Sequence, residues 1–93
     1  MEFNYPVDVN PVQWDREIAG LAAQHSLFVL IRRRFRELER SEGLTQAALA
    51  ERMGRTRAQI SRWMSSPGNM TIASAGELLM AMGRKLEFRL SDW

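Results

Sequence analysis

The chain has 93 residues, 45% of them hydrophobic and 26% charged, the balance of one small globular domain. It has no cysteine and a single histidine, His25, so disulfides and thiolate metal sites are excluded, and neither a metal nor a cofactor is expected. No apolar run approaches the roughly 20 residues that span a bilayer, and MEFNYPVDVN lacks the regions of a signal peptide; no membrane contact and a cytoplasmic location are expected.

The net charge of +2 is unevenly spread. Met1–Ser26 nets −3, Ser66–Trp93 nets zero, and Leu27–Ser65 nets +5 with nine arginines. A basic middle dominated by arginine is the electrostatic footprint of a nucleic-acid binder, although solvated helix faces are often basic too.

Met1–Val9 has no periodicity and reads as an extended arm. Asn10-Pro11 has the form of an N-cap followed by proline at the first helical position. Trp14, Ile18, Leu21 and Ala22 follow at helical spacing. At Gln24-His25-Ser26 two readings stay open: Ser26 caps a new helix, or one long helix continues. Leu27, Ile31, Phe35 and Leu38 form an apolar stripe, with Arg32, Arg33, Arg36 and Arg40 off it, and Gly43 stops that helix. Arg32-Arg33-Arg34 is read equally as a phosphate contact or a solvated face.

Thr45 caps a short helix, Gln46–Met53, in which Leu49 and Met53 face the core and small Ala47 and Ala50 allow a close helix crossing. Gly54 ends it, and Arg55 carries the turn. Thr56 opens the next helix with a capping box completed by Gln59; Ile60 and Trp63 are its inward positions. Ser65–Asn69 is a loop. Thr71 caps a last helix in which Ile72, Ala75, Leu78, Leu79 and Met82 recur at helical spacing, and Gly83 terminates it. Leu86, Phe88 and Leu90 then alternate with Lys85, Glu87 and Arg89, the pattern of a half-buried strand over Arg84–Leu90. A lone strand needs a partner: Met1–Val9 is one candidate, and the same strand of a second subunit, making a dimer ribbon, is the more obvious one.

Leu44–Met64 therefore predicts two short helices joined by a glycine-containing turn, the form of a helix-turn-helix. On the outward face of its second helix stand Arg57, Ala58, Gln59, Ser61 and Arg62. Arginine pairs with guanine O6 and N7, glutamine with adenine N6 and N7, and alanine touches a thymine methyl. Thr56 opens a helix N-terminus, which favours phosphate.

In Leu44-Thr45-Gln46, Leu49-Ala50, Gly54, Thr56 and Gln59-Ile60-Ser61-Arg62-Trp63 the chain resembles the Cro/cI-type (XRE-like) helix-turn-helix family of bacterial and phage repressors. The resemblance covers about residues 28–82. It implies a mainly α, lambda-repressor-like bundle of four to five helices, to which the C-terminal strand is added. The expected division is an N-terminal arm and helix over 1–26, the DNA-binding domain over 27–83, and a dimerisation element over 84–93. By the resemblance, Gln46 holds a phosphate, Arg57, Ala58 and Arg62 face base edges, and Thr56, Gln59 and Ser61 share phosphate and base contacts. Thr45 and Arg55 complete the expected set, and the loop Ser66–Thr71 touches the second strand's backbone. Two features depart from the family's usual form: Met64 stands where glutamate is frequent, and Met70 where proline is.

The function implied is sequence-specific binding of double-stranded DNA by a homodimeric transcriptional repressor, with residues 56–64 in the major groove. The alternative is an antitoxin that binds a toxin protein and autoregulates its operon. The C-terminal part, Ile72–Leu90, is similar to a subgroup that includes antitoxins, in which a last helix runs into a strand of the form Gly-x-x-Leu-x-Phe-x-Leu, and the acidic Met1–Ser26 stretch is surplus to a minimal motif. No nucleophile–base set or phosphate-binding glycine loop suggests an enzyme.

Overall fold

A computed structural model describes residues 11–92, with side chains from Glu17 to Asp92. The arm Met1–Val9, the Asn10 cap and the side chains of Trp14 and Trp93 lie outside the described residues. Four α-helices follow in order: α1 Pro11–Glu42, α2 Gln46–Met53, α3 Arg57–Ser65 and α4 Ile72–Ala81. No helix among the described residues is long and apolar enough to cross a membrane.

α1 resolves the two readings of Gln24–Ser26 in favour of continuity: it runs 32 residues without a break. The junction holds neither proline nor glycine, so nothing there disrupts the i→i−4 ladder. A helix of that length is about 48 Å long. Its C-terminal half supplies Ile31 and Phe35 to the core, with Leu27 and Leu38 packed beside them. In its N-terminal half Ala22 is buried but Leu21 is exposed. α1 ends at Gly43, whose φ of +68° is a left-handed conformation that favours glycine.

The other helices close over that half of α1. Leu44, Leu49, Ala50, Ile60, Met64, Ala75, Leu78, Leu79 and Met82 complete the buried cluster. Trp63 is half-buried against it, as are Ala48, Met53 and Met70. Three positions differ from the sequence reading. Ala47 is exposed, and Ala48 packs in its place; in an eight-residue helix the apolar phase is ambiguous by one position. Met64, one step past Trp63, is buried, because α1 lies over that end of α3 and its Arg32 bonds the Met64 carbonyl. Ile72 is 63% exposed, being in the first turn of α4, outside the packed face.

The C-terminal strand expected over Arg84–Leu90 is not found: residues 84–92 carry neither helix nor strand, and no strand occurs among the described residues. Leu86 packs on the core, but Phe88 is 71% and Leu90 97% exposed. Alternation gives a segment two faces, yet a strand exists only when a neighbouring backbone satisfies its N–H and C=O groups.

Candidate nucleic-acid interface

The turn between α2 and α3 is built from caps. Thr45 accepts a hydrogen bond from the Ala48 amide at 3.1 Å and closes the first turn of α2. At the other end Gly54 adopts φ +64°, its N–H donates to Glu51 O at 3.2 Å, and the Arg55 N–H donates to Ala50 O at 2.9 Å. That pair of reverse bonds is a Schellman motif. Two residues later Thr56 caps α3: its Oγ1 accepts from the Gln59 amide at 3.1 Å, and Gln59 Oε1 accepts from the Thr56 amide at 3.0 Å. The chain thus reverses between two helices with no free backbone donor wasted inside the turn, and α3 starts at a defined residue.

α3 then divides cleanly. Ile60 and Met64 are buried, and Trp63 is half-buried. Arg57, Ala58, Ser61 and Arg62 are exposed, and spacings of three and four residues put them on one face. Neither Arg57 nor Arg62 makes a side-chain hydrogen bond or ion pair among the described residues. Thr45 and Thr56 are also exposed, and Gln46 is half-buried at the first residue of α2.

Two of the expected residues are already engaged. Gln59 is exposed, but its Oε1 is used by the capping box, which leaves its amide nitrogen to donate. The bidentate pairing with adenine uses both groups, so in this conformation it has to share that oxygen with the Thr56 amide. Arg55 Nη2 donates to Glu77 of α4, at 2.9 Å to Oε2 and 3.3 Å to Oε1. Its guanidinium also lies 5.9 Å from the Trp63 ring centroid. It therefore ties the turn to α4 and covers the open side of Trp63.

The arginines of the basic segment fall into two groups, which the charge count alone did not separate. Arg32 Nη1 donates to Met64 O at 2.7 Å near the end of α3, and Arg34 Nε donates to Met82 O at 2.8 Å, just past α4. Arg52 Nη1 reaches Ala81 O at 3.4 Å, and its Nη2 reaches Glu42 at 3.4 Å. These cations satisfy terminal carbonyls at the negative ends of helix dipoles. Nothing in the local sequence announces this; only the packing brings α1 to the ends of α3 and α4, and α2 to the end of α4. Arg33, Arg36, Arg40, Arg57 and Arg62 are exposed and reach no such carbonyl among the described residues.

The loop after α3 is internally bonded. Asn69 Nδ2 donates to Arg62 O at 3.1 Å and to Ser66 Oγ at 2.7 Å, and Ser65 Oγ donates to Arg62 O at 2.8 Å. Met70 packs on the core, and Gly68, at φ +86°, lies against the side chain of Gln24 on α1.

A family model described as helix-turn-helix matches residues 33–88, more than half of the chain. Neither a curated protein nor a solved structure matches it. The matched span takes in the last turns of α1, the capped α2–turn–α3 unit and α4. With the quoted motif residues and that geometry, the chain belongs to the Cro/cI-type (XRE-like) helix-turn-helix family of DNA-binding transcription regulators.

Proposed function

We propose that the protein is a sequence-specific transcriptional repressor that binds an inverted-repeat operator as a homodimer, with α3 in the major groove. The observation that carries this reading is the face of α3 on which Arg57, Ala58, Ser61 and Arg62 are exposed while Ile60 and Met64 anchor the opposite side. Arg57, Ala58 and Arg62 are assigned to base edges. Thr45, Gln46 and Thr56 are assigned to phosphate, with Gln59 donating through its amide nitrogen and Ser61 through its hydroxyl. Arg55 contributes to phosphate binding only through the guanidinium nitrogens that Glu77 leaves open. In a dimer the two α3 helices sit one DNA turn, about 34 Å, apart.

Selection from random-sequence duplexes followed by sequencing tests this. An enriched inverted repeat is the expected result. Arg57→Ala should then cost ~1–3 kcal/mol on that site and relax preference at one base position. Equal weakening on every sequence would reduce Arg57 to a phosphate contact, and no enrichment would overturn the reading.

A second reading is an antitoxin that holds a toxin protein and represses its own operon. The exposed Phe88 and Leu90, on a tail outside the helix-turn-helix, favour a protein partner in addition to DNA. Co-purification of a stoichiometric toxin, lost in a Phe88→Ser/Leu90→Ser variant, is the expected outcome of that reading; a chain that purifies without any toxin would sink it, and a toxin that binds the variant equally well would take its contact away from the tail.

A further inference from the structure

α1 carries a second basic surface that the helix-turn-helix does not use. Arg33, Arg36 and Arg40 are exposed and spaced by three and four residues, so they form one stripe along about 10 Å of helix. The stripe lines an open groove of about 590 Å³ whose other side reaches Ser65, at the end of α3. Ser65 stands three residues beyond Arg62 and four beyond Ser61, so it continues the outward face of α3. The reading face and the arginine stripe are therefore joined at the groove.

The groove is built to attract an anion. Arg32 lines it too, fixed by its bond to Met64 O and by the Phe28 ring, 5.7 Å from its guanidinium carbon. The carboxylate in the lining, Glu37, is paired with Arg34 at 3.0 Å. Arg33, Arg36 and Arg40 have no such partner among the described residues. A nucleic-acid strand presents one negative charge for roughly each 3.4 Å of axial rise, so a stripe of this length spans several phosphates.

We propose that the groove edged by Arg33, Arg36 and Arg40 binds the sugar–phosphate backbone of the DNA beside the bases read by α3. The stripe supplies affinity and salt dependence without reading sequence. This rests on the assignment of α3 as the DNA-reading helix.

The test compares the wild-type chain with an Arg33→Gln/Arg36→Gln/Arg40→Gln variant on the selected operator and on a random duplex, across a salt series. A second variant, Arg84→Gln/Lys85→Gln/Arg89→Gln, removes the same charge from the tail. Removing one arginine–phosphate pairing makes the slope of log K against log salt shallower by about 0.9, so the α1 variant should have a slope shallower by about two to three. Its selected base preference should stay as in the wild type, with an unchanged melting temperature, and the tail variant should keep the wild-type slope. An unchanged slope in the α1 variant overturns the proposal and leaves the groove to an acidic protein segment. An equal change in both variants also overturns it, because the effect is then one of net charge. If the wild type binds duplexes without sequence preference, the repressor reading fails, yet the slopes still decide whether the groove holds backbone. If it binds no duplex, both fall.

Discussion

Arg34 and Arg57 are the same residue type on the same basic segment, and their surroundings give them different work. Arg34 donates from Nε to Met82 O at 2.8 Å and from Nη1 to Glu37 at 3.0 Å, so it fastens α1 to the end of α4. Hydrogen bonds to charged groups are worth roughly 1.5–3 kcal/mol when partly buried. Arg34→Gln should therefore lower stability by about 1–2 kcal/mol, seen as a drop of several degrees in a thermal melt, while the preferred DNA sequence stays the same. A melt like the wild type's would mean that solvent replaces the bond without loss. Gln59 allows a separation of roles at one position. Glutamate fits the same capping box and suits a helix N-terminus by about 0.3–1 kcal/mol. Gln59→Glu should hold or raise the melting temperature and yet weaken DNA binding, because it sets a carboxylate against phosphate. Anisotropy with a labelled operator reads the second effect; undiminished affinity would remove Gln59 from the interface.

At the scale of elements, the helix ends were the most legible part of the sequence. Thr45, Thr56 and Thr71 each accept a bond from the amide three residues on, as their positions before helix-forming stretches predict. Such bonds are local and need no tertiary partner. Gly54 is of the same kind. A Cβ there would meet nothing within 4 Å, but the left-handed φ of +64° remains. Gly54→Ala should then cost about 1–2 kcal/mol through backbone strain alone, measurable by denaturant titration; a cost near zero would mean that the turn relaxes to another conformation. Less legible was which of two neighbouring apolar residues faces inward. Ala47 and Ala48, like Trp63 and Met64, lie about 100° apart on a helix, and a helix of eight or nine residues repeats its pattern too few times to decide. The junction at Gln24–Ser26 was ambiguous for the opposite reason: serine is compatible with a cap and with a helix interior, and the unbroken ladder of α1 selected the second.

For the whole molecule, the tail raises the question of assembly. Phe88 and Leu90 stay exposed on residues 84–92, beyond Leu86, where the tail last packs on the core. Under the homodimer reading, a second copy covers them. Phe88→Ser/Leu90→Ser should then shift the protein toward monomer in sedimentation velocity, while monomer stability changes by no more than about 0.5 kcal/mol, as for other surface substitutions. Unchanged association would place the dimer contact elsewhere, with Leu21 and Leu30 of α1 and Ile72 and Met80 of α4 the other large apolar residues exposed among the described residues.

The caps, the glycine turns, the amphipathic stripe of α1 and the helix-turn-helix itself follow from the order of residues, because each depends on neighbours within one or two helical turns. The fate of the arginines, the burial of Met64 and the lack of a strand in the tail were decided by the tertiary structure. A guanidinium finds a helix terminus, a methionine finds a core and a strand finds a ladder only through segments far away along the chain, and the local pattern carries no record of where those segments come to lie.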